Sequence, residues 1–335
     1  MADGARDDLL GGRLLHRHLG DRPTGAIARA IPKNLRAATA VGIGVFLTFI
    51  GLQGAGVVAK HPATLVTIGK LDLRALFALL GVGIAVALLK RKSPFAFLAA
   101  IFTVTLASLP FGLAKLPQHL VSAPDFSLVG KLDVFGSLRL AFLPAIVGIL
   151  LTDLFDSIST FIGVSQASGL VDEEGEPLRM KEGLLVDAVA TLGAGLVGSS
   201  SGTAYIESSA GVEVGGRTGT TSIVTGLLFL PLLFLGPLAE VVPSHATAPV
   251  LVVVGALMFR SSVQSIEKEH LEDAVPAYLT IVLIPLTFSI TQGILWGFVA
   301  HALLYSLVGR AREVKPGTWG LAAIAVGLLI VERLK

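Results

Sequence analysis

Apolar runs long enough to cross a lipid bilayer recur from residue 31 to the end of the chain. About 20 apolar residues span the hydrocarbon core, which offers no hydrogen-bond partners to a peptide backbone. Such runs must therefore form helices or the strands of a closed barrel, and the apolar–polar alternation of a barrel is not visible. The sequence predicts an all-α polytopic membrane protein with about eleven hydrophobic helical segments, some of them broken half-helices.

Composition agrees with this class and excludes others. The 335 residues are 53% hydrophobic and 15% charged, whereas a soluble domain carries about 25% charged residues. The chain has no cysteine, which excludes disulfides and thiolate metal sites, and its net charge of +2 does not predict nucleic-acid binding. No P-loop, HExxH or GxSxG signature occurs. We therefore expect neither an enzyme, nor a resident metal, nor a cofactor.

Basic residues predict the orientation in the membrane, because lysine and arginine are enriched in short cytoplasmic loops. The alternation of the apolar runs places the main basic groups on one side: Arg29, Lys33, Arg36, Lys90, Arg91, Lys92, Arg179, Lys181, Arg217, Arg260, Lys268, Arg310, Arg312 and Lys315. The prediction is a multi-pass protein of the inner (cytoplasmic) membrane with a cytoplasmic N-terminus. The polar residues 1–30 contain no apolar stretch of signal-peptide length and are predicted to be disordered.

Two carboxylates lie within an apolar run that extends from Phe135 to about Val164. Asp153 and Asp156 are three residues apart, so they share one face of a helix. Ionised groups in hydrocarbon cost at least a few kcal/mol each and are rare unless a cavity or a partner receives them. Two such neighbours also resist ionising together, which would raise one pKa. We predict a role in substrate binding or proton coupling; the alternative is that the helix ends early and both lie at the cytoplasmic mouth.

A Gly/Ser-rich break, Gly198–Gly202, interrupts the next apolar run just before Glu207. A broken helix presents unpaired N–H groups and a dipole end within the membrane, which suits a polar ligand. Glu207 could accept hydrogen bonds from a ligand, or it could pair with Arg217. Thr203 is a candidate ligand contact or a local backbone cap. Tyr205 could stack on a planar ligand or lie at the membrane interface.

Three further polar residues in apolar runs are interpreted mainly as structural. Asp187 is expected to pair with a neighbouring helix or to cap one, with direct binding as the less favoured role. Gln53 is assigned an interhelical hydrogen bond. His301 is expected to be a packed, neutral imidazole.

Five stretches resemble AzgA-like purine permeases, the hypoxanthine/adenine/guanine branch of the nucleobase:cation symporter-2 group. They resemble the family's fifth helix and the loop that follows it, its eighth helix, its broken tenth helix and its last gate helices. The stretches are IPKNLRAATAVGIGVFLTFIGLQGAGVV, HPATLVTIGKL, TDLFDSISTFIGVSQASGLVDEEG, GSSSGTAYIESSAGVEVGGRTG and IPLTFSITQGILWGFVAH. The resemblance begins at Ile31 and continues to the C-terminus.

The resemblance implies two inverted seven-helix repeats divided into core and gate domains, with elevator-like transport. Residues 31–134 would form gate helices of the first repeat, 135–242 the core with the substrate site, and 243–335 the remaining gate helices and the C-terminal helix. The implied activity is import of adenine, guanine or hypoxanthine by proton symport, without a cofactor; whether the chain forms a homodimer is left open. The implied substrate contacts are Asp153, Asp156, Thr203, Tyr205 and Glu207, with the three acids as candidates for proton coupling.

One departure from the family pattern precedes Ile31. Family members carry about four further helices there, including a broken third helix with an A-P-G-M-G-x-N-A-F-type motif that faces the tenth. No counterpart is present, so we expect an N-terminally truncated permease. The alternatives are a non-functional truncated membrane protein and an anion transporter of the same fold. Paired acids at the site disfavour the anion transporter because they would repel its substrate.

Overall fold

The computed structural model describes the chain between Ile31 and Arg333, with gaps that are concentrated between residues 138 and 176. The described residues are 31–117, 119–137, 139, 142, 146, 149–150, 153–154, 157–158, 160–161, 164–165, 169–171, 177–205, 208–213 and 215–333. The predictions for residues 1–30, for Asp156 and for Glu207 fall outside these ranges.

The first part of the fold is a long helix, a β-hairpin and a helical pair. Its elements are α1 (Lys33–Gly54), β1 (Val58–His61), β2 (Leu65–Ile68), α2 (Leu73–Lys90), α3 (Ala96–Ser108) and the single turn α4 (Val134–Ser137). The Asp72 carboxylate starts α2 by accepting the backbone N–H groups of Arg74 and Ala75 at 3.0 and 3.2 Å.

The middle part is broken into short helices, as its glycines and prolines suggest. Its elements are α5 (Met180–Leu196), α6 (Ser208–Glu213), α7 (Gly219–Phe229), a 3-10 turn (Pro231–Phe234) and α8 (Gly236–Glu240). The sequence predicts a full span over Ser222–Val242 with kinks at Pro231 and Pro237. The break at Pro231 is present, and it is more than a kink: the regular helix ends at Phe229 and is followed by the 3-10 turn and the short helix α8. A proline removes one N–H donor and clashes with the preceding turn, which breaks the helix there.

The last part consists of four long helices: α9 (Ser244–Ser262), α10 (Leu271–Thr287), α11 (Ile290–Leu307) and α12 (Pro316–Arg333). The apolar runs of the sequence predict helices over Pro249–Arg260 and Tyr278–Ile290. The corresponding helices α9 and α10 begin earlier, at Ser244 and Leu271. Proline is tolerated inside helices of this kind because neighbouring helices satisfy the freed carbonyls. Pro249 and Pro276 are both buried against neighbouring helices.

Four helices within the described residues are long and apolar enough to cross a membrane by length and composition: Lys33–Gly54, Leu73–Lys90, Ser244–Ser265 and Ile290–Leu307. Shorter apolar helices cover Ala96–Ser108, Gly219–Phe234 and Pro316–Ile330. The protein is therefore mostly helical, with several apolar helices, as a polytopic membrane protein requires.

The antiparallel hairpin β1–β2 departs from the predicted all-helical fold. Val58 pairs with Ile68 and His61 with Leu65. Each strand has only four residues, so the alternation of side chains is too brief to be distinguished from a loop in the sequence. The hairpin connects the end of α1 to the start of α2.

Helix α1 is the centre of the helical packing and contacts α9, α10 and α11. It crosses α9 where Gly44 meets Gly255, and a Cβ atom added at Gly44 would lie 2.6 Å from the Gly255 carbonyl oxygen. Small residues allow two backbones to approach this closely, which is how helices associate in lipid. Next to this crossing, Ile43, Val254 and Met258 form a buried apolar cluster.

A polar clasp joins the ends of α1, α10 and α11 on the predicted cytoplasmic side. Its residues are Asn34, Glu267, Glu272, Asp273, Tyr305, Arg310 and Glu313. The Asn34 side chain donates to the Asp273 carbonyl at 2.6 Å and accepts the Glu267 N–H at 2.7 Å. The Tyr305 hydroxyl lies 2.9 Å from both carboxylate oxygens of Asp273. Arg310 pairs with Glu272 and Glu313, so the clasp holds these helix ends in one arrangement.

Candidate substrate-binding site

The helix break predicted at Gly198–Gly202 is present. Helix α5 ends at Leu196, and Gly198 has a φ of +80°, a left-handed conformation that glycine adopts without steric strain. From Ser199 to Tyr205 the chain is not helical. The sequence also predicts a half-helix over Thr203–Val214. Of its described residues, 203–205 are not helical and Ser208–Glu213 are helical.

The break segment, residues 199–205, is held by the buried carboxylate of Asp187. Asp187 lies in the middle of α5 and is only 8% exposed. One of its oxygens accepts the Ser157 hydroxyl at 2.6 Å, and the other accepts the Ala204 backbone N–H at 3.3 Å. Both oxygens therefore have donors, as a carboxylate in an apolar environment requires. The acid fastens the break segment to two separate helical stretches.

The hydroxyl groups around Asp187 have a defined donor order. Ser157 is fully buried, and its oxygen lies 2.9 Å from the Thr203 hydroxyl. A serine hydroxyl has one hydrogen, and that hydrogen is donated to Asp187. Thr203 must therefore donate to Ser157, which gives the sequence Thr203 to Ser157 to Asp187. Ser157 thus joins the segment around Asp153 to the break segment.

A second link lies one turn along α5. The Thr191 hydroxyl is 3.1 Å from the carbonyl oxygen of Gly202 and 3.4 Å from a carboxylate oxygen of Asp153. Thr191 and Asp187 are four residues apart, so they lie on the same face of the helix. Asp153 is only partly buried. Its carboxylate lies beside the break segment, with surface that a ligand could reach.

The structure brings together two of the predicted site residues, Asp153 and Thr203, within one hydrogen-bonded cluster. Tyr205 ends the break segment and is 65% exposed, so its ring face is available for stacking. Asp156 and Glu207 lie outside the described residues, and their predicted roles stay predictions. Arg217, the alternative partner of Glu207, has its Nε atom 3.5 Å from the Val212 carbonyl oxygen.

Asp187 has a larger role than the sequence analysis assigned to it. Pairing with a neighbouring segment was expected and is confirmed by Ser157, but the bond to the Ala204 N–H also makes Asp187 the anchor of the break. The spacing of Asp187 and Thr191 on one face of the helix that precedes the break could have indicated this. Polar groups spaced by four residues on a membrane helix predict a polar neighbour on that side.

The cluster favours ligands that donate hydrogen bonds. It contains the two carboxylates Asp153 and Asp187, hydroxyls of Ser157, Thr191 and Thr203, and the backbone of the break segment. Carboxylates are acceptors when they are ionised, so N–H groups of a neutral ring match them and anions do not.

Known proteins match this chain over most of its length. The family model Xan_ur_permease, described as Permease family, matches residues 16–295. The match begins at residue 16, whereas the motifs in the sequence indicate the resemblance only from Ile31 onward.

Curated relatives extend the comparison. Adenine permease AdeP of Escherichia coli K12 is 41% identical over 307 residues, which are 91% of this chain and 67% of AdeP. Adenine permease AdeQ of the same strain is 38% identical, over 90% of this chain and 68% of AdeQ. Guanine/hypoxanthine permease PbuG of Bacillus subtilis 168 is 36% identical, over 90% of this chain and 69% of PbuG. The chain therefore belongs to this permease family, and it is a multi-pass membrane transport protein rather than an enzyme.

Proposed function

We propose that the protein imports purine nucleobases, with adenine, guanine and hypoxanthine as the candidate substrates. The names of AdeP, AdeQ and PbuG support this substrate class. The chemistry of the site supports it independently, because a purine is planar, neutral and rich in N–H donors. A permease of this kind would act in the cytoplasmic membrane.

The observation that carries the proposal is the attachment of the break segment to Asp187, a buried acid in the middle of α5. Asp187 accepts the Ala204 N–H at 3.3 Å and the Ser157 hydroxyl at 2.6 Å. Polar backbone at membrane depth is tolerated where it lines a cavity or is buried in protein. Here it lies beside the partly buried Asp153, which fits a site for a polar solute.

Each residue of the proposed site has a distinct role. Asp153, Asp156 and Glu207 would accept purine N–H groups, Thr203 would accept a ring or exocyclic N–H through its free lone pair, and Tyr205 would stack on the ring. In this proposal Asp187 positions the break segment and does not contact the substrate.

The same carboxylates would couple transport to protons. Proton coupling requires a side chain at the substrate site that can bind and release a proton, and a carboxylate can do both. Proton symport then follows if one of Asp153, Asp156 or Glu207 is protonated together with purine binding and released on the other side.

Uptake of radiolabelled adenine, guanine and hypoxanthine by a host lacking its own purine transporters tests the proposal. Asp153→Asn should reduce uptake by about tenfold or more, since a hydrogen bond to a charged acceptor contributes about 1.5–3 kcal/mol. Asp125→Asn, in an exposed loop, is the matched control and should leave uptake unchanged. Uptake no higher than that of the empty host would overturn the proposal. Competition by sulfate rather than by purines would indicate an anion transporter.

A further inference from the structure

The hairpin between α1 and α2 is exposed along almost its whole length. Its strands are Val58–His61 and Leu65–Ile68. A hydrogen bond from the Gly69 N–H to the Val57 carbonyl at 2.7 Å closes its base, and the Val57 N–H bonds the Leu52 carbonyl of α1 at 2.9 Å. All residues from Lys60 to Ile68 are exposed. The hairpin thus projects from the point where one membrane-length helix ends and the next begins.

Large apolar side chains are presented on this projection. Leu65 is 79% exposed, Ile68 is 74% exposed and Leu71, on the connection to α2, is 71% exposed. These residues lie outside the two helices that flank them, so a transmembrane span does not explain their exposure. A cluster of exposed large apolar residues indicates a surface that something covers.

The basic side chains around this apolar group are also exposed: Lys60, Lys70 and Arg74. Asp72, the acid among them, is engaged in capping α2. Long basic side chains next to apolar residues are typical of the membrane interface, where the stem lies along hydrocarbon and the charge reaches a phosphate.

The tip of the hairpin has a fixed shape. His61 Nδ1 accepts the Thr64 N–H at 3.2 Å and lies 2.9 Å from the Thr64 hydroxyl. Leu65 then adopts a φ of +65°, a left-handed conformation unusual for a bulky residue. A turn that holds an exposed leucine in one backbone conformation indicates that the hairpin tip is an ordered contact surface and not a flexible loop.

We propose that the hairpin is a membrane-interface anchor that binds anionic phospholipid. Leu65, Ile68 and Leu71 insert at the boundary between headgroups and acyl chains, and the basic side chains contact lipid phosphate. Two observations favour lipid as the occupant. The base of the hairpin is at the end of a spanning helix, so it starts at the depth of the headgroups. The positive charge of the exposed basic residues also attracts the phosphate of anionic lipid in the leaflet on this side of the membrane.

Spin labels on single cysteines provide the test, because the chain has no cysteine of its own. Leu65→Cys and Ile68→Cys would be labelled in the full chain and reconstituted into vesicles of phosphatidylglycerol and phosphatidylcholine. Lys268→Cys, in an exposed charged loop, is the control. Collision rates of the label with oxygen, which partitions into lipid, and with a water-soluble nickel complex report its depth.

At positions 65 and 68 the nickel collision rate should be about threefold or more below that at position 268, with the oxygen rate raised, because interfacial residues lie about 5–10 Å deep. The nickel collision rate at either label should return toward the control value when three basic residues are neutralised together, by Lys60→Gln, Lys70→Gln and Arg74→Gln. Nickel rates equal to the control would overturn the proposal. Labels shielded from both reagents would also overturn it, since protein and not lipid would then cover the hairpin.

Discussion

At the residue scale, the candidate site depends on Asp187. Its buried carboxylate receives the Ser157 hydroxyl and the Ala204 N–H, so it connects three segments that are distant in the sequence. Removing a single donor would leave part of a buried charge without a partner, which is more damaging than losing an exposed hydrogen bond. Ser157, which is fully buried and contacts both Asp187 and Thr203, is the sharpest position for a test.

Ser157→Ala should lower the free energy of unfolding by about 1.5–3 kcal/mol, because a buried hydrogen bond to a charged group is lost and not replaced. Thermal unfolding of the detergent-purified protein measures the change. Thr225→Val is the matched control: this exposed hydroxyl donates only to the Thr221 carbonyl of its own helix at 2.9 Å, and its loss should matter by less than about 0.5 kcal/mol. Equal effects of the two variants would contradict the assigned role.

At this scale the sequence indicates which residues belong to a polar site, but it does not indicate which residues they contact. Acids and a Gly/Ser break inside apolar runs predict a site, and Asp153 and Thr203 lie in one cluster as expected. The role of Asp187 was underestimated, because its partners Ser157 and Ala204 lie 30 and 17 residues away. No local pattern encodes such contacts, which form only when the helices pack.

At the element scale, glycines decide how closely α1 and α9 approach. Gly44 faces the Gly255 carbonyl, whereas a Cβ atom at Gly83 in α2 would meet nothing within 4 Å. Substitution of Gly44 and of Gly83 therefore compares a packed helix position with an open one, in two helices of similar composition.

Gly44→Ala should destabilise the protein by about 1–3 kcal/mol, since the added methyl forces two packed backbones apart. Gly83→Ala should leave stability unchanged or raise it by up to about 1 kcal/mol, through its better helix propensity. Thermal unfolding in detergent distinguishes them. If both substitutions are neutral, the helices do not cross at Gly44.

The polar clasp predicts a dependence of stability on pH. The hydrogen bonds from Arg310 to Glu313, at 2.8 and 2.6 Å, lower the pKa of the Glu313 carboxyl below its ordinary value of 4.5. A carboxyl with a lowered pKa stabilises the fold above its unfolded-state value, and this contribution is lost as the pH falls through its lower folded-state value.

The unfolding temperature of the wild type should therefore fall as the pH is lowered below 4.5, and Glu313→Gln should remove part of that fall. Arg310→Lys, which keeps the charge but loses the two-pronged geometry, should give an intermediate result. Because the groups are exposed, added salt should weaken the effect. A pH profile of Glu313→Gln identical to the wild type would contradict the prediction.

The sequence predicted which segments are helical better than it predicted the residues at which each helix begins and ends. The boundaries of α1 and α2 follow from uninterrupted apolar runs, with Pro32 before α1 and the Asp72 cap before α2. By contrast, α9 and α10 continue through Pro249 and Pro276. Proline ends many helices in water, but tertiary packing decides whether it does so inside a membrane protein.

At the scale of the whole molecule, composition was enough to predict a polytopic membrane protein, and family membership agrees with it.

The coupling ion is a property of the whole transport cycle. If protons drive uptake, a protonophore should abolish accumulation of the purine while exchange of labelled for unlabelled purine continues. Replacing sodium with choline should have no effect. Loss of uptake in choline would indicate sodium coupling instead.

The donor order from Thr203 through Ser157 to Asp187 fixes the polarity of the break segment. The hydrogen of the Thr203 hydroxyl is directed at Ser157, so a solute beside Thr203 meets only the lone pairs of the hydroxyl oxygen. Two hydroxyls in series therefore extend the acceptor character of a buried carboxylate to the surface of the break segment. Discrimination against solutes that lack N–H donors would then begin at Thr203, without contact between the solute and Asp187.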